Sequence, residues 1–510
     1  MPSLTWLTRD DDIKRAAAVP YRLLEAEPAL SHGDPAASNM LIQGDNLDAL
    51  KALLPYYKGR VKCIYIDPPY NTRSAFEHYD DNLEHTQWLA MIYPRLELLR
   101  DLLAEDGSIW INLDENEAHY LKVMGDGVFG RNNFVRQITW QKKYSVSNNF
   151  KGIASLTDII LVWQKSAAFK NNLLPRSAEA EGRYTNPDND ARGPWKAVDY
   201  LNQASTKNRP NLVYEILNPI TGEVVRNRDK AWKYDPSTHA SHVAEKRLWW
   251  GLKGENSVPA LKLFLSEVRD GMTPHNWWPH TEVGHTDESK KENIALFGRE
   301  QVFDTPKPER LIARILQLAS NPGDLVLDSF LGSGTTAAVA HKMGRRWIGV
   351  EMGDHAVTHC APRLVKVIEG EQGGISKAVN WNGGGGFSFY RLGEEVFDEE
   401  GRLRSGIKFQ ALAAHVWFSE TGVPYHGSAD SPFLGNHGSR GFALLYNGIL
   451  GDKSVSGGNV LTANLLTSIR AMAGHNGPLT IYGEASRIGE PRLKAEGVTF
   501  KQTPYDVKAR

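Results

Sequence analysis

Cysteine is nearly absent: Cys63 and Cys360 are the two in 510 residues. They lie far apart without CxxC spacing, which excludes a disulfide framework and a paired-cysteine zinc site. Long apolar runs are missing too. No stretch approaches the roughly 20 residues that cross a bilayer, and Arg9-Asp10-Asp11-Asp12 stands where a signal peptide would carry its apolar segment. An excess of one charge is also lacking. The formal net charge is -1, so any contact with a polyanion has to come from local charge. Together these absences predict a reduced, cytoplasmic protein with no membrane span and no metal. What is present is aromatic residues, 14 Trp, 18 Tyr and 17 Phe, enough to fill a substantial core. The length implies about two to four domains.

The chain is organised around Ile64-Tyr65-Ile66-Asp67-Pro68-Pro69-Tyr70-Asn71. Residues 61–66 read as a buried strand, and the two prolines must end it because neither donates to a ladder. Asp67 and Tyr70 are thereby delivered onto a stiff turn at the carboxyl edge of a sheet, where open α/β folds bind ligands. A carboxylate beside a flat ring can hydrogen-bond an NH2 group while stacking the ring that bears it. A strand-ending turn with an Asp cap and a packed Tyr is the structural alternative.

Upstream, residues 1–37 are broken by Pro20, Pro28 and Pro35 and read as a wrapping arm. Residues 39–46 form a strand ending in Gly44-Asp45-Asn46, followed by a helix over 47–54. A second helix over 85–103 ends at Asp106-Gly107, and a strand follows over 108–113. This alternation is that of a parallel α/β sheet. Further strands fall at 134–140 and 158–163. Between them Arg131, Arg136, Lys142, Lys143 and Lys151 occur with no acid from 131 to 157, interleaved with Tyr144 and Phe150. Such a loop fits phosphates and bases, or is a solvated basic loop. From about 174 to 297 the rhythm disappears into turns and six tryptophans, most of which suit a core.

The rhythm resumes with Thr305-Pro306-Lys307-Pro308, a helix over 311–319 and the strand Leu325-Val326-Leu327-Asp328. Next comes the turn Ser329-Phe330-Leu331-Gly332-Ser333-Gly334-Thr335, then a helix over 335–343 and a strand over 345–351 ending at Glu351. Glycines let the backbone approach a ligand, the helix start offers free N–H groups, and Glu351 is placed to take a ribose diol. A nicotinamide enzyme fits less well, since the third glycine of GxGxxG is missing.

Asp67-Pro68-Pro69-Tyr70, followed far downstream by Lys307-Pro308 and Phe330-Leu331-Gly332-Ser333-Gly334, resembles the amino-methyltransferases of DNA in their permuted β arrangement. The context at 67–71, 88–95 and 114–117 is similar to the modification subunits of Type III restriction systems, over roughly residues 39–367. The resemblance implies an α/β, Rossmann-like fold dependent on S-adenosylmethionine, with an inserted target-recognition domain and a small C-terminal α/β domain. Its implied roles fall on matching positions. Phe330, Gly332 and Gly334 would cradle the methionine part of S-adenosylmethionine, with Asp328 and Thr335 near its polar end. Glu351 would hold the ribose and Asp45 would lie by the adenine, unless Asp45 is simply a helix cap. Lys307 and Pro308 would line the same pocket, Lys307 having a surface charge as its plainer reading. Asp67 would be shared between cofactor and target.

The catalytic set would be Asp67, Pro68, Pro69 and Tyr70, acting on N6 of a flipped adenine. An Asp at the first position favours adenine over N4 of cytosine. Arg131, Arg136, Lys142, Lys143, Tyr144 and Lys151 would meet double-stranded DNA. The expected segments are an arm (1–37), catalytic half (38–173), target-recognition domain (174–297), cofactor half (298–369), Gly-rich linker (370–386) and C-terminal domain (387–510). That last domain would bind a second copy or a restriction subunit, or serve only as structure. Two other functions compete: a DNA-recognition component within a larger restriction complex, and an enzyme acting on an amine in RNA or protein.

Overall fold

The computed structural model describes residues 4–71, 85–146, 152–226, 229–299, 303, 305–397, 404, 406–428, 430–446 and 459–503. The chain divides into two compact units, residues 1–172 with 275–510, and Leu173–Pro274.

The larger unit is built on an eleven-stranded sheet among the described residues. Six parallel strands form its middle, in the order Gly386–Glu395, Met40–Gln43, Arg346–Glu351, Leu325–Asp328, Val61–Ile66, Leu103–Leu113. Antiparallel Thr157–Gln164 and Phe134–Gln141 continue one edge, and Arg22–Ala26 closes the other. Central strands are apolar because both faces are covered; Ile64, Ile66, Val326 and Leu327 are fully buried. The chain runs from Leu325–Asp328 to its neighbour on one side and from Val61–Ile66 to its neighbour on the other. The point of reversal therefore lies between these two strands, and there the carboxyl ends open a crevice. Val326 pairs with Cys63 and Leu327 with Ile64, so segments hundreds of residues apart share one edge.

Three expectations are corrected. The His85–Leu102 helix ends before Asp106-Gly107, and the next strand already begins at Leu103. The register jumps from Val61↔Leu103 to Cys63↔Ser108, so those turn residues form a bulge within the strand. The insertion ends at Pro274, not 297. Trp277–Trp278 extends the large sheet beside Phe134–Gln141, held by Trp278, which is buried and stacked on Trp110 at 6.3 Å. The Gly-rich linker of 370–386 is packed against the main unit and does not run free. Gly384 N donates to Ile368 O at 2.8 Å, Trp381 Nε1 donates to Val367 O at 2.7 Å, and Gly386 already starts a strand of the main sheet.

Beyond that strand, Phe433–His437, Arg440–Leu444, Leu479–Gly483 and Val498–Gln502 form a separate four-stranded sheet. Helices Phe409–Thr421 and Ala463–Ala473 cover it, and Trp417 and Leu412 share a core with Tyr21. The Leu173–Pro274 unit contains short antiparallel strands around Tyr200, Ile216, Trp232 and Trp250. The insertion's tryptophans are thus mainly core. No helix among the described residues is long and apolar enough to cross a membrane.

Candidate active site

The turns after Val61–Ile66 and Leu325–Asp328 line one cavity of about 380 Å³. Asp67, Pro68, Pro69 and Tyr70 form one wall, and Asp328, Phe330, Gly332 and Thr335 form the other. Lys307 joins them, its ammonium paired with the Asp67 carboxylate across 240 positions of sequence. The surface-charge reading of Lys307 is therefore wrong. Pro308 lies just behind it, as the cap residue of the Glu309–Ala319 helix.

The first wall is held from behind. Trp88, fully buried in the His85–Leu102 helix, donates from Nε1 to Pro69 O at 2.7 Å. Asn71 takes φ 58°, a left-handed conformation that Asn tolerates better than most residues. Tyr70 Oη donates to Asp158 Oδ2 at 3.1 Å and accepts from Asn112 Nδ2. That same Asn112 nitrogen lies 3.5 Å from Asp67 Oδ1. Burial first, then the nearby Asp158 carboxylate, pushes the Tyr70 phenol well above its ordinary range, so it stays a neutral hydroxyl. Burial likewise raises Asp158, opposed by Lys142 at 2.5 Å. Asp114, also on the cavity, is pushed up to about 6 by burial.

The second wall is a backbone cradle. Gly332 and Gly334 have φ 56° and 79°, values that disfavour any side chain. A Cβ on Gly334 would lie 3.3 Å from Cys360 Cα. Glu351 accepts from Gly332 N at 2.7 Å and from Gly353 N at 3.2 Å, so it also shapes the turn. Arg363, buried and paired with Glu309, donates to the Thr335 hydroxyl at 2.8 Å. Asp328 is pushed up to about 7 by burial, with Asp67 and Glu351 adding to it. Asp45 is the N-cap of Asn46–Tyr57, accepting from Leu47 N at 2.7 Å, and pairs with Arg95 at 3.0 Å. Arg95 also holds Asn46, which donates to Ser329 O at 2.6 Å. Asp45, Pro308, Gly334 and Glu351 lie outside the residues lining the cavity.

A sulfonium nucleoside suits this donor set. Burial raises the Asp328 carboxyl above the usual carboxylate range, a position in which an adjacent cation would favour its ionised form, and the glycines admit close approach. The Tyr65 hydroxyl, on the cavity wall, is buried with no hydrogen-bond partner among the described residues. No group of His, Cys, Asp and Glu fit to hold a metal occurs among the described residues.

The basic segment is split. Lys142 and Lys143 line the cavity, and Lys142 is bound to Asp158 rather than presented to solvent. Tyr144 is exposed and lies 5.1 Å from His285. Arg131 and Arg136 are exposed away from the cavity lining, and Lys151 lies outside the described residues. Sequence reasoning missed Asn112 and Asp158. A lone acid opening the apolar run Thr157–Gln164 was the available signal.

Residues 61–361 match a protein family described as DNA methylase. The chain is 33% identical over 411 residues to the probable type III restriction-modification enzyme HindVI Mod subunit of Haemophilus influenzae, covering 71% of this chain and 55% of that protein. It is 33% identical over 329 residues to the StyLTI Mod subunit of Salmonella typhimurium, covering 59% and 49%. To the Type II methyltransferase M.EcaI of Enterobacter cloacae it is 31% identical over 324 residues, covering 61% and 66%. The chain spans about half the length of the two Mod subunits.

Proposed function

The chain belongs to the DNA methylase family, and from that premise we propose that it methylates N6 of an adenine flipped out of double-stranded DNA, using S-adenosylmethionine, as the modification component of a restriction system. The observation that carries this reading is the single cavity shared by the 67–70 turn and the Gly-rich turn.

When bound, S-adenosylmethionine supplies an electrophilic methyl group on a sulfonium. Gly332, Gly334 and Phe330 would hold its amino-acid part, Asp328 its cationic centre and Glu351 its ribose, with Asp45, Lys307, Pro308 and Thr335 completing the surroundings. Flipping the base costs a few kcal/mol, and stacking on Tyr70 recovers part of it. Asp67 and the Pro68 carbonyl accept hydrogen bonds from the exocyclic amine, directing its lone pair into the cavity. Lys307 pairs with Asp67 Oδ2, which leaves Oδ1 open to the amine. Neither a nucleophilic side chain nor a metal is needed; positioning supplies up to about 7–11 kcal/mol in well-aligned cases. Lys143 and Tyr144, at and beside the cavity, are contacts proposed for the DNA backbone, together with Arg131, Arg136 and Lys151. A second copy and a restriction subunit are the proposed protein partners, and the cytoplasm is the proposed location.

The test is to incubate the chain with duplex DNA and S-adenosylmethionine carrying a labelled methyl group, then analyse the nucleosides by mass spectrometry. Labelled N6-methyladenine is expected. Labelled N4-methylcytosine, or label in RNA alone, would replace this reading.

A further inference from the structure

Behind Tyr70 lies a polar set that methyl transfer, as described above, does not use. Tyr70 Oη is held from two directions, donating to Asp158 Oδ2 at 3.1 Å and accepting from Asn112 Nδ2. Asp158 is 2% exposed, and its other oxygen is held by Lys142 at 2.5 Å. Asn112 is fully buried, and its Oδ1 has no hydrogen-bond partner among the described residues. An orphaned carbonyl in a core is unfavourable, and an apolar side chain would avoid it. The residue is best explained by what its nitrogen does. Pairing of Ile66 with Ile111 sets Asn112 beside Asp67 one step further along. Its amide thus reaches the Tyr70 hydroxyl and lies 3.5 Å from Asp67 Oδ1. The far end of the phenol is pinned, so the ring cannot swing about its Cα–Cβ bond. The same amide relates that ring to the carboxylate.

Resting on the proposed reaction, we infer that Asn112 and Asp158 are positioning residues that act through the Tyr70 hydroxyl. They fix the stacking ring relative to the carboxylate that accepts the amine. Tyr70 contributes its ring to the target and its hydroxyl to this scaffold, so a phenylalanine there keeps the first role and loses the second.

The test is a double-mutant cycle on the full chain with duplex DNA, comparing Tyr70→Phe, Asn112→Ala, Asp158→Asn and the doubles that combine each of the latter two with Tyr70→Phe. Each single substitution should lower kcat, by as much as about 100-fold for a misplacement near 1 Å, with cofactor Kd unchanged. In the Tyr70→Phe background, Asp158→Asn should change kcat by no more than about twofold, and Asn112→Ala, whose amide also lies 3.5 Å from Asp67 Oδ1, should cost clearly less than it does in the wild type. Tyr70→Phe leaves the Lys142–Asp158 pair intact, so it reads the hydroxyl even if Asp158→Asn fails to fold. An active wild type whose Tyr70→Phe variant keeps full kcat overturns this inference alone. So do equal losses from Asn112→Ala in both backgrounds, or a loss of cofactor binding in step with kcat. A wild type that transfers no methyl to DNA overturns the proposed reaction as well.

Discussion

Asp67 faces Lys307 on one side and Asn112 on the other, and in the proposed reaction its carboxylate also accepts the amine of the base. Asp67→Asn, which keeps the shape, should reduce methylation at least about a hundredfold while cofactor Kd stays near the wild-type value. Isothermal titration beside a methylation assay checks both. Asp328 gives a pH prediction. Its folded pKa is about 7 because of burial, so between about pH 4 and 7 the folded chain keeps a proton that the unfolded chain has lost. Ionising Asp328 therefore costs stability as pH rises through that window, and the charge is regained as attraction for a cation. Affinity for S-adenosylmethionine should be about tenfold weaker at pH 6 than at pH 8 if only the ionised form binds; Asp328→Asn should flatten the dependence. Of these residues, Asp67 and Tyr70 were legible because two prolines mark where their strand must stop. Asn112 and Asp158 were not, since a single polar residue in a strand acquires its partner from register across the sheet.

Among the elements, the Asn46–Tyr57 helix carries a question that stability measurements can answer. Asp45 caps it and also pairs with Arg95. Asp45→Ala should lower stability by about 1 kcal/mol through the lost cap, whereas Asp45→Asn keeps the cap and loses only the charge facing Arg95. If Asp45 also meets the cofactor's adenine, both variants should weaken binding; if it is only a cap, Asp45→Asn should bind as the wild type does. Thermal unfolding with and without cofactor separates these outcomes. The elements around the cavity were readable from apolar runs and their breakers. The Leu325–Asp328 strand is the clearest case, bracketed by Asn321-Pro322-Gly323 and the Gly-rich turn. Asp106-Gly107 misled because a bulge and a turn use the same residues. Lys142 misled because nothing local announces a buried partner 16 residues away.

At the scale of the whole molecule, the sequence showed where the α/β rhythm stops but not where it resumes. Trp277–Trp278 has the composition of the insertion and the pairing of the main sheet. The ends of the Leu173–Pro274 unit meet each other: Leu174 and Met272 exchange backbone bonds of 2.9 and 2.7 Å. Replacing residues 175–271 with a short flexible linker should therefore leave the remaining unit folded and able to bind S-adenosylmethionine, but without site-specific methylation of DNA. Single-molecule sequencing of DNA from an expressing host would read the loss; an unchanged methylation motif would remove target recognition from this unit. The central claim concerns the cavity where the two turns meet. Its most direct test is a crystal structure of the chain with a non-reactive S-adenosylmethionine analogue and duplex DNA. We expect the analogue against Phe330, Gly332 and Asp328, and an adenine out of the duplex on Tyr70 with its amine at Asp67. An analogue bound elsewhere, or a target base that never enters the 67–70 wall, would contradict the account.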